Sequence, residues 1–180
     1  MKRSAILATS AALLAGTFVF ATRSHAADLV SAGTPAPAFT LPSQDTPAVS
    51  LDEYKGKWVV LYFYPKDKTT GCTIEAHNFQ RDLAKYKAMN AVVLGVSLDT
   101  ADSHRSFCSK ESLTFKLLAD PEHKVIDAYG VPVHGAGPIK YAERDTVLID
   151  PNGKVAKTWA SVDPNTHSET VLATIADLKK

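Results

Sequence analysis

Beyond residue 38 the chain switches between continuous apolar runs and segments with helical spacing. Residues 58–64 (WVVLYFY) form an unbroken β-branched and aromatic run ended by Pro65, the pattern of a strand buried on both faces. From Cys72 to Asn90 the period changes. Cys72, Ala76, Phe79, Leu83 and Tyr86 recur at spacings of four, three, four and three, which places them on one helical stripe. AVVLGVSLD (91–99) predicts a second buried strand, Thr100 to about Ser112 a shorter polar helix, and FKLLAD (115–120) another strand. HKVIDAYG (123–130) reads as a helix closed by Gly130. TVLIDPNGKVAKTWA (146–160) predicts a hairpin around Pro-Asn-Gly, and residues 166–180 an amphipathic helix carrying Val171, Leu172, Ile175 and Leu178. Upstream, residues 27–38 are small and Pro-rich and read as an irregular arm, while FTLPSQ and AVSLDEYKGK are short edge pieces ending in a turn at Gly56. Strands alternating with helices and then a hairpin imply an α/β fold, a mixed sheet with helices on both faces.

The first 26 residues follow a different rule. Lys2 and Arg3 precede an uncharged run from Ser4 to Thr22, and Arg23-Ser24-His25-Ala26 ends it in small-x-small fashion. That is the pattern of a secretory signal peptide cut after Ala26, leaving one domain over residues 27–180. The competing reading is a membrane anchor, but the run is short for a spanning helix and is broken by Thr9, Ser10 and Thr17. Cleavage removes Lys2, Arg3 and Arg23 and no acid, so the formal charge falls from +1 to −2. Such a balance offers no electrostatic case for a nucleic-acid partner. The expected place of work is the periplasm or the exterior, with no stable membrane association after cleavage. An oxidising compartment permits disulfides, so the two cysteines, Cys72 and Cys108, must be weighed against one structural bridge.

Cys72 stands just past a strand and a short polar loop, at a helix N-terminus, where unpaired backbone N–H groups favour an anion. Lowering a thiol from about 8.5 to about 6 requires roughly 3.4 kcal/mol. A helix end supplies about 0.3–1 kcal/mol, and at most about 2. A cation from elsewhere in the chain is therefore needed.

The frame Pro65-x-x-x-Thr69-x-x-Cys72 resembles the active-site motif of the peroxiredoxins, thiol peroxidases on a thioredoxin-like fold. FYPKDKTTGCTIEA, with YGV and RDTVLID downstream, is similar to the PrxQ, or bacterioferritin-comigratory-protein, branch over about residues 32–178. The resemblance implies that Cys72 is the peroxidatic cysteine, attacking a peroxide oxygen to give a sulfenic acid. It implies that Thr69 hydrogen-bonds sulfur and peroxide, that Pro65 shapes the loop and screens the sulfur, and that Arg144 is the missing cation. Glu75 falls at a matching acidic position that orients neighbours. Thr70 stands where many relatives have proline, and Val147 where phenylalanine is common. No cofactor and no metal are implied; the implied partners are a peroxide substrate, hydrogen peroxide or an organic hydroperoxide, and a thioredoxin-like or other dithiol reductant, with the protein a monomer.

Many members of this branch carry a second cysteine five residues after the first, a place held here by His77. Some place it on the later helix, which implies that Cys108 resolves the sulfenic acid by an intramolecular disulfide. A disulfide needs α-carbons within about 7 Å, a distance that two thiols in separate folded helices need not satisfy, so Thr70–Ile74 and the turn around Cys108 are expected to unwind during turnover. The alternatives are an exported, non-enzymatic binding module with a structural Cys72–Cys108 bridge, and an enzyme resolved by an external thiol.

Other features are set aside. Cys72-Thr-Ile-Glu75 is not a C-x-x-C pair. His104 and Cys108, four apart, lack a third metal ligand, and His104 is expected to be solvated. His77, His123, His134 and His167 read as surface or helix-end residues, Lys66-Asp67-Lys68 as a solvated loop, and Arg81 as a surface ion pair. Gly135-Ala-Gly137 is wrongly placed for a nucleotide loop.

Overall fold

The computed structural model describes residues 28–137 and 139–180; the expected leader and its cut lie outside the described residues. A small antiparallel pair, β1 (Thr40–Leu41) and β2 (Val49–Ser50), precedes β3 (Trp58–Phe63) and α1 (Thr70–Ala88). There follow β4 (Ala91–Ser97), α2 (Ala101–Glu111), β5 (Lys116–Ala119), α3 (Lys124–Ala128) and a hairpin of β6 (Val133–Ala136) and β7 (Ile139–Ala142). The chain ends with β8 (Asp145–Ile149), β9 (Val155–Trp159) and α4 (His167–Leu178).

The central sheet runs β5-β4-β3-β8-β9, with β3–β4 and β4–β5 parallel and β3–β8 and β8–β9 antiparallel. As the continuous apolar run predicts, every residue of β3 is buried, and its two faces feed two cores. Val60, Tyr62 and Tyr64 pack with Phe79 and Tyr86 of α1, Phe107 and Cys108 of α2, and Val171 and Ile175 of α4. Val59, Leu61 and Phe63 pack with Val125, Ile126 and Tyr129 on the α3 side. The sheet is therefore mixed and has helices on both faces. Gly95 of β4 allows one tight passage, because a Cβ there would lie 2.6 Å from Leu117 and 2.7 Å from the Tyr62 ring.

The stripe on α1 is buried at Cys72, Ala76, Phe79 and Tyr86, with Leu83 packed at the margin. The helix opens two residues earlier than Cys72, because Thr69 is extended and acts as its N-cap residue. The β6–β7 hairpin was not apparent in the pattern: its residues are mostly exposed and carry no apolar alternation. Glycines 135 and 137 serve this turn, both at positive φ.

Polar groups also tie α4 to the sheet and to α1. The Asp82 carboxylate, fully buried on α1, accepts hydrogen bonds from Arg81, Lys85 and the Ser168 hydroxyl of α4, and the Arg81 bonds hold its carboxyl down at about 2. Arg81 forms the expected ion pair and also reaches Glu169. His167 departs from a surface reading. It opens α4 but is 3% exposed, with Nε2 2.8 Å from the Thr146 hydroxyl and its ring edge-on to Phe79 and Trp159. Burial, helped by the nearby Arg144 charge, lowers its pKa to about 4.

A histidine lowered on folding binds its proton more readily in the unfolded chain, so stability is full above about 6.5 and is lost as pH falls toward about 4. The expected loss in this window is up to about 3 kcal/mol. Glu75, held up at about 7, acts with the opposite sign between about 7 and 4.5 and does so in parent and variant alike. The His167 contribution is therefore read as a difference: denaturant midpoints measured across the window should fall in the parent relative to His167→Gln. The Asp82 contribution is lost in a separate, lower window, as pH falls from about 3.8 to about 2.

Candidate active site

The site lies beyond the carboxyl ends of β3 and β4, and strand register assembles it. Antiparallel pairing of Phe63 with Asp145 sets Arg144, just before β8, beside the segment that leaves β3. The Arg144 carbonyl accepts from the Val162 N–H at 2.9 Å, and the Ser161 N–H donates to the Asp145 carboxylate at 2.8 Å, so the 161–162 turn fixes this corner. Parallel pairing of β3 with β4 brings the segment after β4, and thus the start of α2, to the same edge.

Cys72 sits in the first turn of α1, 2% exposed, and Arg144 Nη2 lies 3.3 Å from its sulfur. The other terminal nitrogen, Nη1, donates to Glu75 Oε2, one turn along the same helix. A planar guanidinium holds both contacts at once because its donors form a rigid fork. Gly71 makes room for it: a Cβ at that position would lie 3.3 Å from Nη2. Glu75 is 1% exposed, and its Oε1 has no partner among the described residues. Burial pushes its carboxyl up to about 7, against the pull of Arg144. Arg144 holds its proton above the usual arginine range; burial opposes this, and Glu75 and Cys72 outweigh it. The arrangement can keep a sulfur anion and a developing oxyanion beside one fixed cation, inside a site with little water.

Thr69 is exposed, and its hydroxyl donates to the Lys66 carbonyl at 3.0 Å. Pro65 is half-buried at the start of the same loop. Thr70 occupies the first helical position of α1, where proline is tolerated because its N–H would be unpaired in any case, so the difference from relatives leaves the turn intact. Val147 is buried on the α3 side of the sheet, away from the Cys72 cluster.

Cys108 lies in α2, 6% exposed, and neither cysteine is bridged. Burial, with Asp67 next in weight, pushes its thiol up to about 12.

Two sequence expectations fail here. Asp67 is not solvated; it is 5% exposed and is the hub of a buried network. It accepts from the Tyr64 hydroxyl at 2.7 Å and the Ser103 hydroxyl at 2.7 Å, and faces His104 Nδ1 at 2.9 Å. Its own N–H donates to Asp99. Burial opposes ionisation, yet the bonds from His104, Ser103 and Tyr64 hold its carboxyl below the usual range. His104 is not solvated either, being 0% exposed. A signal for it existed: His104, Phe107 and Cys108 share the buried stripe of α2. The parallel sheet is what overrides local polarity, since it folds α2 down over the loop. Lys68, at φ 64°, is held in its left-handed conformation within this loop and reaches Ser106 of α2.

Comparison with known proteins agrees with this geometry. The AhpC/TSA family matches residues 32–158. Peroxiredoxin Bcp of Bacillus subtilis (strain 168) is 38% identical over 154 residues, covering 84% of this chain and 98% of its own. The chloroplastic peroxiredoxin Q of Sedum lineare is 39% identical over 151 residues, 83% of this chain and 80% of its own. Among solved structures, Xanthomonas campestris peroxiredoxin Q superposes with a TM-score of 0.76 at 32% identity, covering 83% of this chain and 99% of that one. Peroxidoxin BcpB of Mycobacterium tuberculosis superposes at 0.77 with 28% identity, covering 83% and 98%. With a cysteine at the strand-to-helix junction, a guanidinium on its sulfur and this likeness along nearly the whole folded domain, the chain belongs to the AhpC/TSA family, as a thiol peroxidase of the Bcp/PrxQ peroxiredoxin type.

Proposed function

We propose that this protein reduces hydrogen peroxide and organic hydroperoxides through Cys72, with Cys108 as the resolving cysteine, and that it does so outside the cytoplasm after removal of residues 1–26. The observation that carries the catalytic reading is the 3.3 Å contact between Arg144 Nη2 and the Cys72 sulfur at the start of α1. The Cys72 thiolate attacks the terminal peroxide oxygen, the O–O bond breaks, and the leaving oxygen takes a proton to depart as water or an alcohol. Cys72 is then a sulfenic acid. Arg144 donors stabilise the negative charge that passes from sulfur to the leaving oxygen. Pro65 and Thr69 shape the loop that admits the peroxide, and rotation of the Thr69 hydroxyl away from Lys66 supplies a further donor.

The resolving assignment rests on two supports. Cys108 is the one other thiol in the chain. Solved variants of Xanthomonas campestris peroxiredoxin Q replace two cysteines separated by the same number of residues as Cys72 and Cys108. Attack by Cys108 on the sulfenic acid joins the two sulfurs and releases water, and a thioredoxin-like or other dithiol then reduces the bridge. Both cysteines lie within folded helices, so closure requires the first turn of α1 and the end of α2 to open.

Reduced protein mixed with one equivalent of hydrogen peroxide, followed by tryptophan fluorescence and acid-quench mass spectrometry, tests both parts. Cys72→Ser should abolish specific peroxide consumption, and Cys108→Ser should accumulate a sulfenic acid on Cys72 that the parent converts to a disulfide. Slow thiol loss unchanged by Cys72→Ser would refute the peroxidase reading at this residue. Absence of a Cys72–Cys108 disulfide in the parent would refute the resolving one. In the same experiment Arg144→Ala should slow the peroxide step by about 10²–10³. Arg144→Lys should recover only part of it, because one ammonium cannot bond Cys72 and Glu75 in the same fixed geometry.

A further inference from the structure

Cys108 presents a chemical problem to any mechanism in which it attacks another sulfur. The thiolate is the nucleophile in such exchange, yet this thiol is held at about 12 by burial and by the Asp67 carboxylate. At neutral pH only about one molecule in 10⁵ would be ionised without help. The structure holds a group suited to that task one helical turn away. His104 and Cys108 are four residues apart on the buried stripe of α2, a spacing that places side chains side by side. The Asp67 carboxylate, which already accepts from Tyr64 and Ser103, can only accept from His104 as well, so the ring proton is on Nδ1. Whenever the ring carries that one proton, Nε2 is left as an acceptor, and it is buried with no hydrogen-bond partner among the described residues. An unpartnered acceptor in a fully buried ring is costly to keep unless it is used.

We propose that His104 is the proton acceptor for Cys108 in disulfide closure, with Asp67 as the positioning residue that fixes its tautomer. The inference rests on the reading of Cys108 as the resolving cysteine. In the resting form the Cys108 sulfur is not a hydrogen-bond partner of Nε2; loosening of the end of α2 brings the two together. The thiol proton passes to Nε2, and the sulfur lone pair forms the S–S bond with Cys72 as the S–O bond of the sulfenic acid breaks. The departing hydroxide takes the proton back from His104 and leaves as water. The Cys108 sulfur is oxidised and the Cys72 sulfur reduced, so no other oxidant enters. The charged and titratable groups around this pair are Asp67 of the loop, Tyr62 and Tyr64 of the β3 segment, and Asp45, which acts on Cys108 from the β1–β2 connection. Among the described residues none of them supplies a second free base: burial holds the Tyr62 phenol well above its usual range and so protonated, Tyr64 donates to Asp67, and Asp45 is engaged by Lys116 and Ser43.

The same contacts also clamp α2 to the active-site loop, and the two roles predict opposite signs. A clamp alone makes closure faster when His104 is removed, because α2 opens more easily. A proton acceptor makes it slower. The full chain, reduced and mixed with one equivalent of hydrogen peroxide, is quenched in acid at intervals and its sulfenic acid and disulfide are quantified by mass spectrometry. In His104→Gln the sulfenic acid should still form. Its conversion to disulfide should slow about 100-fold at neutral pH, with a rate that rises about tenfold per pH unit as hydroxide replaces the lost base. Asp67→Asn should slow closure in the same sense by less. Where Gln at 104 impairs folding, His104→Ala with added imidazole carries the test: closure that climbs with imidazole concentration supports the assignment, and closure indifferent to it overturns it. Closure in His104→Gln as fast as the parent's, or faster, also overturns it. If the parent forms no Cys72–Cys108 disulfide, it is the resolving reading that fails, and the two failures are told apart by that arm alone.

Discussion

The contact on which the rest depends joins two distant parts of the chain. Arg144 precedes β8, Cys72 and Glu75 lie in the first turns of α1, and the guanidinium binds both at once. Remove it and Glu75 and Cys72, both buried, lose the cation that contacts them, at the end of a helix whose own field is too weak to hold an anion by itself. Much of the surrounding structure can be understood as support for that single side chain. The β3–β8 register places Arg144, the 161–162 turn fixes its backbone, and Gly71 leaves the volume that its terminal nitrogen occupies. Burial still holds the Glu75 carboxyl up at about 7 against the pull of Arg144, so the guanidinium offsets only part of that penalty.

A second hub, Asp67, lies in the loop that leads into α1. It binds Tyr64 at the end of β3, Ser103 and His104 of α2, and through its N–H the Asp99 side chain. The loop that delivers Cys72 and the helix that carries Cys108 are thus joined through one carboxylate. The two halves of the proposed cycle would place opposing demands on this joint. In that proposal, attack on peroxide needs the first turn of α1 formed, with sulfur against Arg144, and disulfide closure needs that turn and the end of α2 open. A polar hinge of a few hydrogen bonds to one carboxylate, each worth about 1.5–3 kcal/mol net, suits such a demand better than an apolar seam would, since its bonds can be exchanged for water as the helices part.

Much of the architecture was legible in the order of residues. The apolar run of β3, the stripe on α1 and the Pro-Asn-Gly hairpin each follow from side-chain period alone, and the core falls where those periods point. The strand-to-helix position of Cys72 was equally plain. The partnership with Arg144 was not readable from spacing, because 72 residues separate the two and only the register of an antiparallel pair brings them together; there the likeness to a known motif supplied what local pattern could not. Asp67 and His104 were misread for a related reason. Between two lysines, an aspartate has the local signature of a solvated loop, and a histidine in SHRSF that of an exposed helix face. A parallel β3–β4 pair folds α2 over that loop and buries both, and no local window contains that information.

The central claim is that the Arg144 guanidinium serves the Cys72 sulfur and the breaking O–O bond together. The most direct test compares Cys108→Ser with the Cys108→Ser/Arg144→Ala double variant, each reduced and mixed in a stopped-flow instrument with hydrogen peroxide and, separately, with iodoacetamide, which reacts with the same sulfur but has no O–O bond to break. The account predicts that loss of Arg144 slows both reactions and slows the peroxide reaction by much more. Rates with hydrogen peroxide that are unchanged, or that fall no further than those with iodoacetamide, would contradict it.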